Sequence, residues 1–145
     1  MSANMQVCTF RVGQFYCGIA ISAVQEVIQS LQVTRAPLAP DAVSGLVTVR
    51  GDVLTAIDLR KKLGLDARSA GSEVVNVVVQ SQGESISLWA DDVEDVIEVD
   101  GDAGELPPDT LKPDVRELIM KVYEVGARLL LLLDPERITA VAVKD

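Results

Sequence analysis

Histidine is absent from all 145 residues. That removes the serine–histidine and cysteine–histidine nucleophile pairs, the histidine zinc sites and the commonest general base near neutral pH. Cysteine is nearly absent. Cys8 and Cys17 stand alone, in no CxxC spacing, and are too few for a disulfide framework. Long apolar runs are missing too. The longest is the five residues Leu129–Leu133, whereas a membrane-spanning helix needs about 20, so the run reads as a buried strand. Met1–Gln6 carries no charged and apolar signal pattern. The chain reads as complete, cytoplasmic and without direct membrane insertion.

Positive charge is scarce. The 22 acidic residues outnumber the 13 basic ones, the net charge is −9, and the longest basic run is Arg60-Lys61-Lys62. Nucleic acid binding draws most of its affinity from neutralising phosphates, so this balance argues against it and against an anionic membrane surface. It favours a protein partner with a basic patch. Neither glycine-rich phosphate loop occurs. The acids Asp91, Asp92, Glu94 and Asp95, and again Asp100, Asp102 and Glu105, lack the calcium-loop spacing and read as solvated turns. No pair of carboxylates is placed across a cleft by any motif, so the chain reads as neither an enzyme nor a holder of a metal or cofactor.

Apolar residues make up 48% of the chain, enough for a real core. They come in an internal echo. Val24, Val27 and Ile28 recur as Val93, Val96 and Ile97, with Glu26 matched by Asp95, and Leu54–Asp58 recurs as Leu130–Asp134. Two copies of a unit of roughly 70 residues have marginal cores apart and are expected to pack together. The division falls near residues 66–72, giving a first half 1–68 and a second half 69–145.

Each half reads mainly as β. Cys8, Phe10 and Val12, then Phe15, Cys17, Ile19 and Ile21, alternate with small or polar residues around the turn Gly13-Gln14. That register puts both cysteines on one apolar face, as small buried hydrophobes. Further hairpins are expected from Gly45–Arg50 and Val53–Ile57 across Gly51-Asp52, and from Val74–Val79 and Ser85–Ala90 across Gln82-Gly83. Asp58 and Asp134 are positioned to cap short helices, and Ser22 with Gln25 to form a capping box. Val115–Val122 has helical spacing, but its echo with Gly45–Arg50 and the turn at Gly126-Ala127 favour a strand. Short strands in two copies predict two small barrels, whose closure removes exposed edges.

Two features go beyond packing. Arg50 ends a valine-rich strand at a tight turn, where a guanidinium fork on a rigid element can meet a partner's carboxylate or carbonyls, or be merely exposed. Val24, Val27, Ile28 and Leu31 form a stripe that serves the core, or a groove between the halves for a partner helix.

The ordered set Ala23-Val24-Gln25-Glu26-Val27-Ile28, Ala36-Pro37-Leu38-Ala39-Pro40 and Val43–Arg60 resembles the VQEV, P-x-x-P, G-x-x-x-x-RG and IDLR elements of the CheW-like domain family, and Ala90–Val96 with Leu130–Asp134 extends the likeness through the second half. The resemblance implies two packed five-stranded SH3-like β-barrels with short helical turns. It implies a chemotaxis adaptor, monomeric in isolation, joining a histidine kinase regulatory domain to a methyl-accepting chemoreceptor tip. The kinase is expected to dock on the first half, through Glu26, Leu38, Gly45 and Leu46. The receptor is expected to meet Arg50, Val24, Val27, Ile28 and Val49. Thr48-Val49 stand where the family commonly has Asn-Leu, Thr55 where it has Pro, and Lys121 where its second half often has Gly. These departures leave partner identity open. The alternatives are a kinase-only decoy adaptor of a divergent chemosensory pathway and a small-ligand-binding β-barrel protein.

Overall fold

A computed structural model of the chain describes residues 4–29, 33–35, 43–66 and 73–143. Leu31, Leu38 and the rest of the P-x-x-P segment lie outside the described residues, as does most of the expected division at 66–72. Among the described residues are eleven strands: β1 (Asn4–Val12), β2 (Phe15–Ala20), β3 (Val24–Gln29), β4 (Val33–Arg35), β5 (Val43–Val49), β6 (Asp52–Asp58), β7 (Val75–Ser81), β8 (Glu84–Ala90), β9 (Asp92–Asp100), β10 (Ile119–Val125) and β11 (Arg128–Leu133). Three short helices accompany them: α1 (Leu59–Lys62), α2 (Pro113–Arg116) and α3 (Pro135–Val143).

The strands form two sheets, ordered β10-β11-β2-β1-β9 and β3-β7-β8-β6-β5-β4. The architecture is the mainly β, two-barrel arrangement expected, with the short β4 added to the second sheet. Among the described residues each order has two free ends, so the backbone closure expected of the barrels is not made there by hydrogen-bonded strands. The sheets also cross the division at residue 68. The leading hairpin β1–β2 pairs with β9–β11, and the hairpin β7–β8 pairs with β3 and β6. Each sheet therefore takes the leading hairpin of one repeat and the following strands of the other. Four ladders join the repeats: two antiparallel, β1–β9 and β3–β7, and two parallel, with Leu131 opposite Cys17 and Ile57 opposite Leu88. This exchange answers the problem of two marginal cores, because neither repeat buries its apolar face without the other.

The largest buried cluster accordingly draws on both sheets, with Phe10, Cys17, Ile19, Leu131 and Leu133 from the first and Ile57, Val77 and Leu88 from the second. Each sheet keeps a smaller cluster on its other face. Val7, Tyr16, Leu130 and Leu132 form that of the first, and Val47, Val49, Ala56 and Trp89 that of the second. Leu130–Leu133 is continuously apolar because successive residues enter different clusters, as a strand buried on both faces requires. Cys8 opposes Ile19 and Cys17 opposes Phe10, so both thiols are buried on one face, unpaired.

Local signals decide most turns. β1–β2 closes at Gly13-Gln14, β7–β8 at Gln82-Gly83 and β10–β11 at Gly126-Ala127. Asp58 and Asp134 cap α1 and α3 through bonds of 3.0 Å each from the Arg60 and Glu136 amides. Three expectations are corrected. The β5–β6 turn is Arg50-Gly51, one residue earlier than Gly51-Asp52. Ser22 caps nothing: the 3-10 turn Ile21–Ala23 begins after Ala20 with no side-chain cap, while Gln25 accepts from the Ser85 hydroxyl at 2.7 Å. Residues 115–122 divide between α2, opened by Pro113, and β10. Val115, Leu118, Ile119 and Val122 all reach the shared core, which is why their spacing looked helical.

Candidate functional site

The β5–β6 hairpin ends with Val49 opposite Asp52, leaving a two-residue turn. Arg50 has φ 52° and Gly51 φ 86°. Left-handed φ at both positions is the type I′ turn that matches strand twist, and its second position suits glycine. Arg50 thus sits at the apex rather than at a strand end, in a backbone region that side chains other than Gly, Asn and Asp rarely adopt. Its side chain is 78% exposed, and Nη1 donates to Glu26 Oε1 at 2.7 Å. Glu26 belongs to β3, the edge of the same sheet. A residue assigned to the receptor and one assigned to the kinase therefore hold each other, and their contact ties a hairpin tip to a free edge.

The other assigned residues are less accessible. Val24 and Val27 are half-buried against the shared core, and Ile28 packs against the second sheet's own cluster. Val49 lies buried in that cluster, beside Val47, Ala56 and Trp89. Gly45 is buried in β5. Leu46 is exposed on the outer face, where Val53 is exposed as well. Among the described residues, two cavities of about 500 and 280 Å3 border the first sheet, and no residue assigned to a partner lines either.

Two clusters were not read from the sequence. Asp91 is not the solvated turn its local sequence suggests: its carboxylate accepts from Arg60 Nε at 3.0 Å, Arg60 Nη2 at 2.7 Å and the Gly13 amide at 2.6 Å. It thereby joins the β1–β2 turn, α1 and the β8–β9 junction. The hydrogen bond to Asp91 raises the Arg60 pKa above its ordinary value, against a smaller opposing effect of desolvation. In the first sheet Arg128, just past the β10–β11 turn, grips Glu94 of the edge strand β9 through bonds of 3.1 and 2.8 Å. These bonds hold the Glu94 carboxyl below its usual range, partly offset by desolvation. Each sheet thus fastens a hairpin tip to an edge strand by an arginine–glutamate pair. The available signals were Arg60 within the IDLR element and the echo itself. Reactive groups are poorly placed: burial pushes both thiols up, Cys17 with a further push from the Asp91 charge.

The profile of the CheW-like domain matches residues 6–142. The Chemotaxis protein CheW of Klebsiella aerogenes is 29% identical over 137 residues, covering 94% of this chain and 82% of its own. That of Rhizobium meliloti is 28% identical over 134 residues, covering 92% and 86%. The crystal structure of the scaffolding protein TtCheW from Thermoanaerobacter tengcongensis superposes with a TM-score of 0.84 at 22% identity, over 98% of this chain and 97% of that one.

Proposed function

The chain belongs to the CheW-like domain family, and on that premise we propose that it is a cytoplasmic chemotaxis scaffold that couples a histidine kinase to methyl-accepting chemoreceptors by contact alone. The observation that carries the reading is the family match over residues 6–142, because it takes in both sheets and so both faces that a bridge needs. The relatives and the superposed scaffold carry chemotaxis and scaffolding in their names. Area permits it. The chain exposes 8298 Å2, and two standard interfaces of about 800 Å2 each use roughly a fifth of that.

In this reading the Arg50–Glu26 pair is the contact a receptor exploits. The guanidinium is exposed and pre-positioned at the apex, so a partner carboxylate or carbonyl can share it without moving the hairpin. Kinase docking through Glu26, Gly45 and Leu46 then adjoins the receptor site, and a shift in one contact is felt in the other through the same ion pair.

The test is a three-component pull-down with a kinase regulatory domain and a receptor tip. The reading expects receptor to be retained by kinase only when this chain is present. Retention of kinase without receptor replaces it with the decoy reading, and retention of neither removes the scaffold role.

A further inference from the structure

Among the described residues the first sheet ends on β9 and β10, and these edges do not join in a ladder. A groove of about 500 Å3 lies between them, within the roughly 300–1,000 Å3 of ordinary ligand clefts. Its floor is apolar: Ile97, Val99 and Val125 pack there against the sheet's own core. Its rim is acidic. Glu98, Asp100, Glu105 and Glu124 are all exposed, and no lysine or arginine is among the lining residues. The flanking cations are both engaged: Lys121 reaches across the gap to the Gly101 carbonyl at 3.2 Å, at the border of the groove, and Arg128 holds Glu94. The imbalance extends well beyond the groove: residues 69–111 hold 11 acids and no lysine or arginine.

The groove also offers backbone. Val122 and Glu105 exchange hydrogen bonds of 2.9 and 2.8 Å, a single bridge across the gap. Backbone groups alternate sides along an antiparallel strand. The N–H and C=O of Glu124 therefore point the same way as those of Val122, into the groove. The chain opposite is by then in the 3-10 turn Gly101–Ala103, so the ladder stops and a strand edge is left open.

We propose that this groove is a docking site for an extended, lysine- or arginine-bearing segment of a partner protein, added as a strand beside β10. Alternate side chains of such a segment point to opposite faces, so apolar ones meet the floor while basic ones reach the carboxylates. Main-chain bonds to the open edge supply affinity, and charge supplies the choice of partner. The groove contains none of the residues assigned to kinase or receptor, so the inference stands independently of the scaffold reading.

The test titrates the full chain with a short peptide of alternating lysine and valine. Two controls accompany it: a glutamate–valine peptide, and a lysine–valine peptide N-methylated at every residue, which has the charge but no amides to donate. The lysine–valine peptide is expected to bind, to weaken with added salt, and to protect the Glu124 amide from hydrogen exchange. The double variant Glu105→Lys/Glu124→Lys is expected to lose about tenfold in affinity at an unchanged melting temperature. Equal binding of the N-methylated peptide overturns strand addition. No binding at all means that the acids only discourage edge-to-edge pairing. A doubling of mass on concentration, with Glu124 protected in the absence of peptide, assigns the edge to a second copy of the chain and overturns the proposal.

Discussion

The Arg128 guanidinium lies over the Tyr16 ring, 3.7 Å from its centroid, while its terminal nitrogens hold Glu94. Stacking on one side and a bidentate carboxylate on the other use both properties of the planar fork. Tyr16 is on β2, Glu94 on β9 and Arg128 on β11, so one side chain spans the first sheet from its interior to its edge.

Glu94→Gln is expected to lower the melting temperature modestly at neutral pH, as partly exposed ion pairs do. The pH dependence identifies the cause. The folded Glu94 carboxyl titrates below its ordinary 4.5. Its stabilising contribution is therefore complete above that value and is lost as pH falls through the lower folded one. Wild type and variant should converge in acid. A gap that stays constant from pH 7 to pH 3 would assign the loss to packing instead.

Asp91→Ala is expected to cost about 2–3 kcal/mol, because it leaves the partly buried Arg60 and the Gly13 amide without their shared acceptor. Asp91→Asn keeps one carbonyl oxygen for these donors and should cost less. Denaturant titration of the two variants checks the order. Equal, negligible losses would return Asp91 to the role of a solvated turn.

Turn chemistry is local, and so the hairpins at Gly13, Gly83 and Gly126 were legible from the dipeptides and their flanking alternation. The same holds for the caps at Asp58 and Asp134. The type I′ turn at Arg50-Gly51 was misplaced by one residue because Gly51-Asp52 also reads as a turn, and only the requirement for glycine at the second position separates them. Sheet membership was not legible. Cys17 and Leu131 meet in parallel across most of the chain, and nothing within either strand states which repeat supplies its neighbour. Asp91 was misread for the same reason, since Arg60 lies 31 residues away. The groove between β9 and β10 was invisible because Asp100 and Glu105 read locally as a solvated turn, while Glu98 and Glu124 carry no local signal that would bring them to the same rim.

Gly18 illustrates a constraint of packing. It is buried in mid-strand, and a methyl group there would run into Val7 Cγ1 and come within 3.2 Å of Leu130 Cδ1. Both neighbours belong to the first sheet's own cluster and have little room to yield. Gly18→Ala is therefore expected to destabilise by about 1–3 kcal/mol, the usual cost of an overpacked core. Thermal melting of the variant checks it. An unchanged melting temperature would mean that the strand shifts to admit the methyl group.

Arg50 allows stability and contact to be separated. Arg50→Asn puts the residue best suited to the first position of a type I′ turn beside Gly51. It removes the strain of a left-handed arginine and loses one exposed ion pair, effects that offset each other to within about 1 kcal/mol. The variant should melt at the wild-type temperature or slightly above it. If Arg50 is the receptor contact, the same variant should lose receptor in the pull-down while retaining kinase. Arg50→Lys should recover little, because a lysine offers a point charge where the fork made directional bonds. Receptor retention by Arg50→Asn at the wild-type level would leave the arginine as only the partner of Glu26, and would move the receptor contact to the half-buried valines of β3.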